Sequence, residues 1–309
     1  MRIAIVGAGA VGGFYGARLA QAGHEVAFVA RGANLEALRA HGIQVKSGLG
    51  DIVLPVRAES DPARIGPADL VIVAVKTYSN AQALPLVAPL VGPGTMVLPL
   101  QNGVDSADQL AAVVGPGPVL GGTTYIAVTL LEPGLVEHVG SVRRVVFGEA
   151  FGDRLVTPRV ERVRQALADA GIQAEAAPDV RIPLWEKLIF LAPIAGLTAA
   201  ARLPIGPAWA HAEFRDAYDL AAAEIEAVAR HEGVGVAADV REQKHRYLDN
   251  SPGTMRTSMM VDIASARPLE LEALLGTIVR RGRAAGIDTP VTSALYGILK
   301  PFERGAPAA

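Results

Sequence analysis

Short apolar runs alternate with amphipathic stretches over the first half of the chain, and long helical patterns take over in the second. Residues 3–6 read as a buried strand, 11–22 as a helix closed by Gly23, and 25–29 as the next strand. Residues 70–75, 95–100 and 119–129 are further strands of the same continuous apolar kind. Runs with no polar side belong to parallel strands covered on both faces. Helices between them imply right-handed crossovers and a doubly wound α/β sheet. Residues 136–148 fit antiparallel strands that close this domain. Beyond a last strand-like stretch, 172–176, helical patterns run over about 180–201, 213–232, 237–248 and 270–285. The turn-forming stretch Glu175-Ala176-Ala177-Pro178-Asp179 marks the boundary. The expected organisation is an α/β domain over residues 1–177 and an all-helical domain over 178–309, with a ligand cleft between them.

Composition narrows the chemistry. Of 309 residues, 50% are apolar and 19% are charged, which excludes a disordered chain. The net charge is −2 and no long like-charge run occurs, so a nucleic-acid partner is not expected. Without cysteine the chain has no disulfides, thiolate metal sites or thiol nucleophiles. The longest apolar stretch, 188–197, is interrupted by Pro193 and Gly196, so no membrane segment is expected and the reading is a soluble, cytoplasmic protein.

Gly7-Ala8-Gly9-Ala10-Val11-Gly12 fits G-x-G-x-x-G between a strand and a helix, with a second strand at the right distance. Gly7 permits the tight turn, Gly9 admits a pyrophosphate and Gly12 lets helix and strand pack closely. The helix N-terminus then offers N–H groups and a positive dipole end to phosphate. The N-terminal domain is thus a Rossmann-type dinucleotide binder. At the end of the second strand, where NAD sites carry an acid, stands Ala30-Arg31-Gly32. Arg31 suits a 2′-phosphate, so NADPH is the expected cofactor.

With these features the chain resembles the ketopantoate reductase (2-dehydropantoate 2-reductase) family along its whole length. The resemblance also rests on Val75-Lys76-Thr77, Gln101-Asn102-Gly103, Gly121-Gly122-Thr123-Thr124, Trp185-Glu186-Lys187-Leu188, Ser258-Met259-Met260-Val261-Asp262 and Arg267-Pro268-Leu269-Glu270. It implies NADPH-dependent reduction of a 2-oxo acid to a D-2-hydroxy acid, with 2-dehydropantoate as the default substrate, and a homodimer is expected. It also implies site roles. Lys187 is the proton donor to the ketone oxygen and Glu270 its acidic partner or a ligand of the substrate hydroxyl. Asn102 touches nicotinamide ribose and substrate, Lys76 lies at the cofactor–substrate junction, and Ser258 binds the substrate carboxylate. Hydride transfer leaves an alkoxide, which needs a nearby acid.

The chain departs from the pantoate-forming pattern at three asparagine positions, occupied here by Leu191, Ala195 and Met255. Residues 187, 191 and 195 share one helix face, so the expected substrate wall, with Leu191 and Ala195 bordering the substrate, is apolar. A relative acting on a more apolar 2-oxo acid, of the D-mandelate dehydrogenase kind, is the enzymatic alternative. A non-catalytic NADPH-binding protein is the other, and Lys187 and Glu270 argue against it. Ser258 reads equally as a helix cap.

Overall fold

The computed structural model describes residues 1–306. Two compact units emerge. One comprises Met1–Gln101 and Ser106–Val180; the other comprises Asn102–Asp105 and the chain from Arg181 onward. The four-residue segment Asn102–Asp105 therefore leaves the first unit and returns to it.

Ten strands occur among the described residues, all in the first unit: β1 (Arg2–Val6), β2 (Glu25–Val29), β3 (Ile43–Ser47), β4 (Ile52–Leu54), β5 (Arg57–Glu59), β6 (Leu70–Val73), β7 (Met96–Pro99), β8 (Leu120–Glu132), β9 (Leu135–Glu149) and β10 (Gln173–Ala176). One sheet has the order β5-β2-β1-β6-β7 and is parallel throughout. Its two faces bury different sets. Ile3, Ile5, Phe28, Leu70, Ile72 and Leu98 enter one core cluster. Ala4, Val6, Ala27, Val29, Val71, Val73 and Val97 enter another. Burial on both faces is why these strands lack polar alternation.

The second sheet runs β10-β9-β3-β4, with β8 on β9. Here the sequence expectation needs correction. Residues 119–129 form most of β8, which pairs antiparallel with β9 rather than joining the parallel sheet; a single bridge, Val97 to Val119, links the sheets. Only Pro133 and Gly134 separate β8 from β9. Two residues close a hairpin, whereas a parallel return requires a crossover of a dozen or more. Nor is 136–148 several antiparallel strands. It is the single strand β9, which also pairs parallel with β3 and β10.

The helix Ala10–Gln21 packs between the sheets. A Cβ on Gly16 would run into the Phe28 ring of the parallel sheet, and one on Gly13 would lie 2.8 Å from Val136 of the other. Two glycines one turn apart thus let one helix serve two sheets.

The second unit is helical: Arg181–Ala201, Ile205–Trp209, Ala212–His231, Val240–Asp249, Ser258–Ala264, a π-helical turn Glu272–Gly276 continuing into Thr277–Ala285, and Pro290–Leu299. Pro193 does not interrupt Arg181–Ala201, which is long and apolar enough to cross a membrane. More than half of that apolar window is buried, with Trp185, Leu188, Ile189, Ala192 and Ile194 among the core side chains of its own unit. It is built as a core helix.

Candidate active site

In the first unit β1 ends at Val6, and the chain turns at Gly7 with φ +104°. A Cβ there would lie 2.7 Å from Val75 Cγ1 and 2.8 Å from the Val75 nitrogen, so only glycine lets the turn pass beside the end of β6. A Cβ on Gly12 would strike the Gly7 carbonyl oxygen. At Gly9, the N-cap of Ala10–Gln21, a Cβ would meet nothing within 4 Å, and no side chain caps the helix. Its first N–H groups, lacking intrahelical acceptors, border open space at a positive dipole end. The strand order reverses between β1 and β6, the switch point where α/β sheets bind nucleotides.

Other side chains frame this turn. Asn34 Nδ2 donates to the Ala8 carbonyl at 2.6 Å, and Asn34 Oδ1 accepts from the Gly134 N–H at 2.9 Å. Arg31, exposed at the N-cap of Gly32–His41, donates from Nη1 to Gln82 Oε1 at 2.7 Å. Lys76, half-buried, precedes the short turn Thr77–Ser79 just past β6. Gln101 Nε2 donates to the Val75 carbonyl at 2.8 Å and to Asn80 Oδ1 at 2.6 Å.

The second unit brings three predicted residues together. Lys187 Nζ donates to Asn102 Oδ1 at 3.0 Å, and Asn102 Nδ2 donates to Glu270 Oε2 at 3.1 Å. The amide sits between cation and carboxylate, and its two ends are told apart by their partners. Burial pushes the Lys187 ammonium down to about 8, against the opposing pull of Glu270. Such a lysine holds and releases a proton near neutral pH. Glu270 is buried and stands just ahead of the π-helical turn, a distortion common at functional sites. Gly103 has φ +93°, and a Cβ on it would lie 2.7 Å from the Ala273 carbonyl oxygen, so the Asn102 loop lies directly on that turn.

The remaining predicted residues divide. Leu191 and Met255 keep partial exposure beside the helical core, and Phe190 meets Tyr247 edge-on at 5.2 Å. Ala195 keeps no accessible surface, so a direct substrate contact would require the core to open. Ser258 is exposed and is not the cap of Ser258–Ala264; Thr257 is, accepting from the Met260 N–H at 3.2 Å and pairing with Thr198 Oγ1 at 2.8 Å. Sequence reading missed Asn34 and Asp105 and gave Gln101 no role of its own, since their roles lie wholly in partners distant along the chain.

Comparison with known proteins gives a consistent picture. The family described as ketopantoate reductase PanE/ApbA matches residues 3–152, and its C-terminal domain matches residues 179–303. A 2-dehydropantoate 2-reductase of Mesorhizobium japonicum is 32% identical over 99% of both chains. The crystal structure of a 2-dehydropantoate 2-reductase from Geobacter metallireducens superposes with a TM-score of 0.91 at 34% identity, covering 97% of this chain and 99% of that one. A D-mandelate dehydrogenase, solved with NADH and anilino(oxo)acetate, shares the fold with a TM-score of 0.89 at 22% identity, covering 98% of each chain.

Proposed function

The chain belongs to the ketopantoate reductase family and is an oxidoreductase acting on CH–OH; from there we propose that it reduces the ketone of a 2-oxo acid to a D-2-hydroxy acid with NADPH. The observation that carries this reading is the hydrogen-bonded cluster of Lys187, Asn102 and Glu270. When bound, NADPH would supply the hydride that the carbonyl carbon takes up. The open space at Gly9 and the uncapped helix N-terminus suit its pyrophosphate, and Lys76 contributes positive charge past β6. Arg31, where an acid would select NAD, supports a 2′-phosphate.

Lys187 Nζ gives a proton to the ketone oxygen as negative charge develops there. Asn102 Oδ1 accepts from the ammonium and so fixes where Nζ stands. Glu270 stabilises the charged lysine and accepts from the hydroxyl that forms. Ser258 binds the substrate carboxylate.

Named relatives make 2-dehydropantoate the first substrate to test, with a place in pantothenate biosynthesis. A second reading, an apolar 2-oxo acid, is favoured by Leu191 and Met255, partly exposed carbon where pantoate-forming relatives carry amides. A cytoplasmic homodimer completes the proposal. The test is consumption of NADPH and NADH with 2-dehydropantoate and phenylglyoxylate, on wild type and Leu191→Asn. Against an apolar substituent the new amide costs about 1–3 kcal/mol, roughly a five- to hundredfold loss in kcat/KM. With 2-dehydropantoate as true substrate its turnover is unchanged or improved. An unaltered ratio of the two specificities removes Leu191 from the pocket, and no turnover of any 2-oxo acid removes the reading.

A further inference from the structure

We propose that Arg281 is the positioning residue that sets Asn102 against Lys187. Its significance rests on the reading of that cluster as the reacting one, but the geometry stands by itself. Arg281 Nη2 donates to Asp105 Oδ1 at 2.6 Å, three residues along the loop from Asn102. Its Nη1 donates to Glu232 Oε1 at 2.6 Å, and its Nε to Thr277 Oγ1 at 3.2 Å. The Thr277 hydroxyl in turn donates to Asp105 Oδ1 at 3.2 Å. The guanidinium lies 5.9 Å from the Trp185 ring centroid, two residues before Lys187.

One planar side chain therefore touches the Asn102 loop, the Lys187 helix and the last turn after Ala212–His231. Besides the Asn102 and Thr277 hydrogen bonds, Val104 of this loop packs on the helical core and Gly103 lies on Ala273. Arg280, 3.9 Å from Asp105 Oδ2, is already paired with Glu272. A lysine at 281 carries its donors on one nitrogen and does not span Asp105, Glu232 and Thr277 together, so the planar fork rather than the charge alone is what the arrangement uses.

The test combines a geometric and a kinetic readout on Arg281→Met, Arg281→Lys, Asp105→Asn and Glu232→Gln. The chain has four asparagines, so side-chain amide labelling with ¹⁵N gives a spectrum in which Asn102→Asp identifies the Asn102 signal. The Asn102 amide resonance moves in Arg281→Met, Arg281→Lys and Asp105→Asn and stays in place in Glu232→Gln, which cuts only the arm away from the loop. With a 2-oxo acid, kcat falls on the order of tenfold in the three variants that move it, while KM for the cofactor stays within about twofold. An Asn102 resonance unmoved in both Arg281→Met and Asp105→Asn overturns the proposal. So does one displaced equally by Glu232→Gln. If the wild type reduces no 2-oxo acid, the functional reading falls, and the resonance still decides the positioning role.

Discussion

At the scale of single residues, the proposed chemistry turns on two cations in different surroundings. Arg31 is exposed and held by one neutral hydrogen bond to Gln82, so it is free to exchange that partner for phosphate. Arg31→Ala weakens NADPH binding roughly ten- to a hundredfold, a charge-assisted contact being worth about 1.5–3 kcal/mol, and leaves NADH little changed. Titrating both cofactors into wild type and variant checks this; equal losses remove Arg31 from selectivity. Lys187 is the opposite case, a cation depressed by burial to about 8. The proposed reduction draws on its proton, so kcat is expected to fall as pH rises through that value, and Lys187→Ala to lower kcat on the order of a hundredfold with cofactor still bound. Its effect on stability has the reverse sign. Below about 8 both folded and unfolded states hold the proton, and the fold bears the cost of burying it. Between about 8 and the ordinary 10.5 the unfolded state binds more protons, so stability rises with pH. The wild type therefore gains stability relative to Lys187→Met as pH rises from about 8 towards the ordinary 10.5, which melting curves across pH will show.

At the scale of elements, the glycine turn separates fold from binding. A Cβ on Gly12 meets the Gly7 carbonyl, whereas one on Gly9 meets nothing. Gly12→Ala thus lowers the unfolding midpoint, at a cost of about 1–3 kcal/mol. Gly9→Ala moves the midpoint far less and instead loses the upward shift expected of the proposed NADPH binding. Thermal melts with and without cofactor distinguish the two, and equal behaviour would refute the assignment. This turn was legible in the sequence because strand, glycines and helix follow one another within a few residues. The second sheet was not. Neither β3 nor β4 offers an apolar run as long as those of β1 and β2, and β8 carries an apolar run like a parallel strand until the two-residue link to β9 makes it half of a hairpin.

At the scale of the whole molecule, the second unit is not one continuous piece of chain. Val104 packs on its core and Asp105 pairs with Arg281, yet both lie far upstream of Arg181. A fragment from Arg181 onward lacks both, losing on the order of 1 kcal/mol from the missing, partly buried valine alone. In that fragment Arg281→Met costs less stability than in the intact chain, since one arm of the fork has already lost its partner; equal costs in the two backgrounds would contradict this. The sequence by itself determined the parallel strands β1, β2, β6 and β7, the glycine turn, the arginine after β2 and the helical second half, because backbone sterics and burial period act over neighbouring residues. Only tertiary structure decided that Asn102 would bridge Lys187 and Glu270, 85 and 168 residues away, that Thr257 rather than Ser258 would cap its helix, and that Ala195 would be enclosed. Those outcomes depend on which surfaces meet once the long loops have closed, and no local pattern records a partner that distant.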